Sequence, residues 1–213
     1  MTDSLHVLIA DDHPLFRSAI AEALRTAQPE IDIAQADSLG TTLTRLEQRD
    51  IDLLLLDLKM PGNDGLMGLL QIRSQYPEVA VAVVSANEAG RTVHQARAAG
   101  ALGYVPKSLP LDALVAALGR LLTGMNWFPE GYNPDTDEHQ EDLDAIAKLA
   151  TLTPQQQRVL ALITRGFLNK QIAYELNVKE TTIKTHVSEI FRKLGIYNRT
   201  QAALFSQYME VPE

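Results

Sequence analysis

The chain contains no cysteine. That absence excludes disulfides, thiolate zinc centres and cysteine nucleophiles together. It also lacks any run of about 18 apolar residues, so no membrane-crossing helix is expected. Its first residues, Met1-Thr2-Asp3-Ser4, hold no basic stretch leading into a long apolar one, so no secretory signal is expected either. These absences together point to a cytoplasmic chain. Basic charge is scarce as well: 19 lysines and arginines face 27 acids, a net charge of −8. Taken whole, that deficit argues against a nucleic-acid partner.

The deficit is uneven, and the distribution reverses the argument. Residues 1–123 hold 15 acids and 10 bases, and residues 124–151 hold 7 acids and one base. Residues 152–213 hold 5 acids and 8 bases, a local excess of +3. An acidic chain with a basic end is the pattern expected where that end meets DNA.

The hydrophobic pattern divides the chain at the same places. Up to residue 123, short β-rich apolar runs (Val7–Ala10, Ile31–Ala34, Ile51–Leu56, Val79–Val84, Leu102–Val105) alternate with stretches of helical spacing. Those stretches are Pro14–Ala27, Leu39–Gln48, Leu66–Gln75, Ala89–Ala99 and Leu111–Leu122. Five β/α units predict an α/β fold, a doubly wound five-stranded parallel sheet with helices on both faces. Leu53-Leu54-Leu55-Leu56 and Val81-Ala82-Val83-Val84 do not alternate, as expected of central strands buried on both sides. Residues 124–150 carry Gly124, Pro129, Gly131, Pro134 and the acidic run Asp135–Asp144, and read as a linker in which a helix resumes near Leu143. Residues 151–213 predict a second, smaller all-α domain. In it Thr153 caps a helix opened by Pro154, Asn169 caps a short one to Leu176, and a third runs from Glu180 to Leu194 before Gly195. A last helix covers Thr200–Tyr208.

In a doubly wound sheet, ligands bind beyond the carboxyl ends of the strands. Asp11 and Asp12 follow the first strand, Asp57 the third, Ser85 the fourth, and Pro106-Lys107 the fifth. Strand-end acids are common as caps and turn residues, and any one of these alone carries little. Their convergence carries more. Three carboxylates in close array repel one another unless a cation sits among them, and a hard divalent ion such as Mg²⁺ answers that. Asp57 can then act as a carboxylate nucleophile toward a phosphoryl group, with the ion and Lys107 stabilising the transferring oxygens and Ser85 bonding one of them. In the C-terminal part, Ile183, Val187, Ile190 and Leu194 form a core stripe. The opposite face shows Lys184, Thr185, Ser188 and Arg192, which can donate to phosphates or base edges. Any amphipathic helix has a polar face, so periodicity alone leaves a solvated surface as the alternative. His186 has no second His or Cys at metal spacing, so zinc is not expected.

The motifs extend the argument. Asp11-Asp12-His13-Pro14, Asp57-Leu58-Lys59-Met60-Pro61, Asp64-Gly65, Ser85-Ala86 and Tyr104-Val105-Pro106-Lys107 resemble the receiver domain of response regulators, over about the first 123 residues. Leu152-Thr153-Pro154, Gly166, Asn169-Lys170-Gln171-Ile172-Ala173, Thr182-Ile183-Lys184-Thr185-His186 and Lys193-Leu194-Gly195-Ile196 with Arg199-Thr200-Gln201-Ala202 resemble the LuxR-type helix-turn-helix. Together they resemble a NarL/FixJ-family response regulator. The resemblance implies strand order 2-1-3-4-5 and Asp57 as phospho-acceptor. It implies a metal held by Asp12, Asp57 and the Lys59 backbone carbonyl, with Asp11 acting through water. Ser85 and Tyr104 become a switch pair, with Tyr104 moving inward on phosphorylation. It places Lys184, Thr185 and Ser188 near bases, and Asn169, Lys170, Thr181 and His186 near the DNA backbone. The implied partners are double-stranded DNA, a sensor histidine kinase and a second copy of the chain when phosphorylated. Helix Leu111–Leu122 is a candidate pairing surface. Two departures stand out: Gln156 where the family usually has Glu, and Ser188 where some members carry a base. Two other functions remain to be weighed: a phosphorylation-independent DNA-binding protein, and a Mg²⁺-dependent phosphohydrolase. The latter usually needs a second Asp two residues after the nucleophile, where this chain has Lys59.

Overall fold

The computed structural model describes residues 5–63, 65–132 and 140–209. Asp64 and residues 135–139 of the acidic run lie outside them. Five parallel strands, β1 (His6–Ala10), β2 (Asp32–Ala36), β3 (Leu53–Asp57), β4 (Ala80–Ser85) and β5 (Gly103–Pro106), form one sheet in the order β2-β1-β3-β4-β5. Helices α1 (Pro14–Ala27), α2 (Leu39–Gln48), α3 (Leu66–Gln75), α4 (Gly90–Ala98) and α5 (Leu111–Leu122) follow the strands in turn.

Side chains alternate across each strand, so the sheet has two apolar faces. Val7, Ile9, Leu53, Leu55 and Val84 meet Ile20 and Leu24 of α1 and Leu114 and Leu118 of α5. Leu8, Leu54, Leu56, Val81 and Val83 face the other way, toward α2, α3 and α4. This second core does not stop at those helices. It continues through Ile146 and Leu149 into Leu160, Ile172, Ile183 and Ile190 of the C-terminal helices.

That continuity explains α3. Residues 66–72 are all buried, with apolar groups all round the helix rather than on one stripe. A helix apolar on every side must be covered on every side. Here the sheet covers one side, and α6 (Gln140–Ala150) lies along the other, touching both α3 and α4. Residues 140–150, assigned to the linker from sequence, therefore contain a packed helix. The helix expected to resume near Leu143 is thus present from Gln140, and the start of the same stretch contacts the sheet. Trp127 bridges Gly103, and its carbonyl accepts the Tyr104 amide at 2.9 Å, so this stretch borders β5.

The remaining helices are α7 (Pro154–Thr164), α8 (Asn169–Glu175), α9 (Glu180–Leu194) and the short α10 (Arg199–Ala202), which tightens into a 3-10 turn over Ala203–Tyr208. Thr153 caps α7 as expected: its hydroxyl accepts the Gln156 amide, and the Gln156 side chain accepts the Thr153 amide. Asn169 is not the cap of α8. Leu168 holds that position, with its amide bonded to Gln171 Oε1 at 2.7 Å, and Asn169 is the first helical residue. Between α8 and α9 the chain turns at Asn177, whose φ of 51° is left-handed. Asparagine tolerates that region better than most residues.

Candidate functional site: the acidic rim and an exposed helix face

The register of the sheet brings the strand ends level. Asp57 pairs with Val84 and Ser85 with Pro106, so Asp57, Ser85 and Lys107 emerge at one rim. The amide of Lys107 donates to the Ser85 carbonyl at 2.8 Å, which fixes the start of the loop after β5. Its side chain then reaches across the rim. Nζ lies 2.7 Å from Asp57 Oδ2 and 2.6 Å from Asp11 Oδ2. The ammonium also sits 4.9 Å from the centre of the Phe16 ring, a favourable cation–π position.

Asp57 is buried and held at three points. Lys107 binds Oδ2, the Lys59 amide donates to Oδ1 at 3.0 Å, and Asn63 Nδ2 donates to its backbone carbonyl at 2.9 Å. Burial pushes the Asp57 carboxyl above its ordinary value, against the opposing hydrogen bonds from Lys107 and Lys59. Lys107 shows the opposite balance. Burial alone would lower its ammonium, but Asp11 and Asp57 together hold it above the usual lysine value. A charged lysine therefore stays between the two carboxylates.

Asp11, Asp12, Asp57 and His13 each place one potential ligand atom within 4.8 Å of the others. His13 is the member sequence reading missed as a possible ligand. Its Nδ1 lies 2.7 Å from Asp12 Oδ1 and 3.2 Å from Asp11 Oδ1. Adjacency to Asp12 was the available signal. Ser85 is buried at the same rim, and its Oγ accepts the Asn87 amide at 3.1 Å. Tyr104 is fully buried, and its hydroxyl donates to the Asn87 carbonyl. Burial pushes its hydroxyl up to about 12, so it remains a donor at neutral pH.

The second group of expected residues lies far from this rim. Thr181, Lys184, Thr185, Ser188 and Arg192 are all exposed on α9, and Lys170 is exposed on α8. This face of α9 is not covered by the α/β part of the chain. Among the described residues, its cations pair with neighbours on the same helix: Lys184 with Glu180 at 3.1 Å, Arg192 with Glu189 at 2.7 Å. Thr185 and Ser188 turn their hydroxyls back to the carbonyls of Thr181 and Lys184. Asn169 and His186 are half-buried, and Asn169 Oδ1 accepts a bond from Arg199. At the departure noted above, Gln156 Oε1 accepts a bond from Lys193 Nζ at 2.8 Å.

Known proteins resemble both parts. The response regulator receiver domain matches residues 7–119, and the luxR family of bacterial regulatory proteins matches residues 150–206. The chain is 40% identical to the glycerol metabolism activator of Pseudomonas putida over 93% of each chain. It is 32% identical to the nitrate/nitrite response regulator protein NarL of Escherichia coli, again over 93% of each. Among solved structures it is similar to the response regulator RcsB in its complex with DNA, with a TM-score of 0.57 and 26% identity over 97% of this chain and 99% of that one. RcsB of Salmonella enterica serovar Typhimurium, bound to promoter rprA with the phosphomimetic BeF3−, gives a TM-score of 0.56 at 25% identity, over 96% and 99%.

Proposed function

The chain belongs to the two-component response regulators that join a receiver domain to a luxR-family helix-turn-helix, and we propose that a phosphoryl group on Asp57 switches its DNA binding. The observation that carries this reading is the buried Asp57 carboxylate, held by Lys107 across from Asp11. A carboxylate oxygen of Asp57 attacks the phosphorus of a phosphohistidine on a sensor kinase. The P–N bond breaks, and its electron pair leaves with the histidine nitrogen. Lys107 meets the negative charge on the transferring oxygens without having to move into place, since it is already fixed. The donor set of Asp11, Asp12, Asp57 and the Lys59 backbone carbonyl is rich in hard oxygen, which suits Mg²⁺. When bound, the ion would neutralise charge on the phosphoryl oxygens.

The Ser85 hydroxyl takes up a phosphoryl oxygen, and Tyr104 at the end of the same hydrogen-bonded loop reports the change. Residues 1–123 act as the receiver and residues 151–213 as the DNA-binding domain, with α6 between them. Lys184, Thr185 and Ser188 approach bases, while Asn169, Lys170, Thr181, His186 and Arg192 lie near the backbone. Two phosphorylated copies read two half-sites of double-stranded DNA about one helical turn apart. One RcsB structure contains two dimers on two parallel DNAs, which supports the pairing. The work is cytoplasmic in this reading; among the described residues no helix is long and apolar enough to cross a membrane. The phosphohydrolase alternative is set aside, because the family is one of transcription regulators rather than enzymes.

Acetyl phosphate with Mg²⁺ is expected to load one hydroxylamine-sensitive phosphoryl group on the wild type and none on Asp57→Asn. Footprinting should then show tighter, localised protection only for the loaded wild type. A label that survives Asp57→Asn, or identical footprints with and without donor, would overturn the reading and favour the phosphorylation-independent alternative.

A further inference from the structure

We propose that Arg91, Asp142 and Tyr208 form a polar latch that positions the DNA-reading helices on the receiver, and that this latch controls pairing on two half-sites rather than access to the reading face. The inference rests on the DNA-binding reading above. It starts from a group that phosphotransfer chemistry does not use. Asp142, on α6, is a carboxylate only 3% exposed. Arg91, at the start of α4, binds it through Nε at 2.8 Å and Nη2 at 2.7 Å, one to each carboxylate oxygen. The Tyr208 hydroxyl donates to the same carboxylate at 2.8 Å, and Arg91 also reaches Gln207 at 3.0 Å. Receiver, bridging helix and C-terminal turn thus meet at one ion.

A second contact lies on the loop that follows Asp57. Gly65 has a left-handed φ of +57°, and a Cβ there would stand 2.9 Å from the Met209 backbone carbon. Only a glycine lets the C-terminal turn come so close. Asn63 ties this same loop to the phospho-acceptor: it donates to the Asp57 carbonyl at 2.9 Å and accepts the Gly68 amide at 3.1 Å. The docking face is thus continuous with the Asp57 loop, along a route separate from Ser85 and Tyr104.

The rest of the seam is imperfectly packed. A cavity of about 250 Å³ separates Leu39, Leu43, Met67 and Gln71 from Gln157 and Arg158. Gln157 is buried there, and its Oε1 has no protein partner among the described residues. Voids forfeit dispersion contacts, and an orphaned acceptor carries its full desolvation cost. Closure of such a seam depends on a few strong contacts. An Asp142 stripped of Arg91 would be a buried charge left with only neutral hydrogen-bond donors, which favours opening as a unit over partial loosening.

Because the α9 face is exposed with the latch closed, the latch does not work by covering it. It holds α9 at one set position relative to the receiver. Two copies so constrained cannot freely bring two α9 helices to half-sites one turn apart. A single half-site makes no such demand.

The test uses the full chain and four forms: Arg91→Gln, Asp142→Asn, the charge swap Arg91→Asp with Asp142→Arg, and the milder Tyr208→Phe. Circular dichroism checks that each is folded. Small-angle scattering reads opening without DNA. Affinity is then measured for a duplex selected by the chain from a random pool and for its isolated half-site. Arg91→Gln and Asp142→Asn should enlarge the particle and tighten binding to the two-half-site duplex about fivefold or more without a phosphoryl donor. Their affinity for the single half-site should stay unchanged. Tyr208→Phe should shift both readouts the same way by less, and the charge swap should restore compaction. An unchanged particle in both single variants overturns the latch. A half-site gain equal to the two-site gain overturns the claim that it controls pairing. Failure to select any duplex overturns the DNA-binding reading and the pairing claim with it, while scattering still decides whether the latch exists.

Discussion

The rim and the α9 face use similar residue types in opposite ways. At the rim, Lys107 is mostly buried and shared between two carboxylates, and Asp57 is fixed by contacts from three separate residues. On α9, Lys184 and Arg192 have side chains 63% and 68% exposed and pair with acids of their own helix. Ion pairs so open to water contribute little and exchange easily. The contrast fits the roles proposed for the two sites. Phosphoryl transfer gains from charges already in place, because none then has to reorganise as the reaction proceeds. Reading DNA needs a stiff helix but mobile side-chain tips, which give up weak local partners for phosphates and bases. Rigidity at α9 therefore resides in Ile183, Ile190 and Leu194 beneath it, all buried.

If the contrast holds, the largest effect should come from the rim. Lys107→Ala should lower the rate of Asp57 phosphorylation by about 10²–10³, the usual cost of removing one preorganised charge donor. Stopped-flow or gel-shift kinetics with acetyl phosphate would measure it, and a rate within about threefold of wild type would show that Lys107 is not preorganised for transfer.

The latch comes next, and pH sharpens it. Burial alone would raise Asp142, but the Arg91 guanidinium and the Tyr208 hydroxyl hold it below the ordinary carboxylate value. Its folded value is thus lower than its unfolded one. Its contribution is complete above about pH 4 and is lost as pH falls through the folded value. Scattering between pH 6 and 3 (about the range in which carboxylates titrate) should show opening at the acid end, and Asp142→Asn should abolish that step. Tyr208, pushed up to about 12 by burial and by Asp142, stays a donor throughout.

Smaller effects belong to α9. Lys184→Ala should relax the sequence preference at one position and weaken binding to the selected duplex by about 1–3 kcal/mol, with the slope of log affinity against log salt nearly unchanged, as expected of a base contact. A slope reduced by about 1 with uniform weakening across sequences would instead place Lys184 on a phosphate. The smallest effect is a gain. Gln156→Glu should stabilise the fold slightly, by about 0.5–1 kcal/mol, since a carboxylate there would pair with Lys193 and suit the first turn of α7. Calorimetry with and without salt would check it.

Much of this was legible in the chain. Helices α1, α2, α3, α5 and α9 begin and end where their periodicity, Pro14 and Gly195 place them, and α7 begins at Thr153-Pro154 as expected. Strand β1 ends with its apolar run at Ala10, β2 ends two residues beyond its run, and β3, β4 and β5 each end one residue beyond theirs, because Asp57, Ser85 and Pro106 still pair in the ladder although they are not part of a greasy run. The misses share a cause. Trp127 lies along β5 through one backbone bond, the Leu168 cap works through Gln171, and the last helix tightens into a 3-10 turn where Tyr208 reaches Asp142. Each depends on partners that local pattern does not reveal.

The sequence by itself determined most of the elements and, His13 aside, the residues that the strand ends gather at the rim. Strand and helix periods are local properties, and a parallel sheet must gather its strand ends at one edge. Tertiary structure alone decided that one Lys107 ammonium serves both Asp11 and Asp57, that α6 lies against α3 and α4, and that Asp142 meets Arg91 and Tyr208. Those partners are 51 and 66 residues away from Asp142. No local preference selects a contact at that separation; only the packing of two apolar surfaces against each other does.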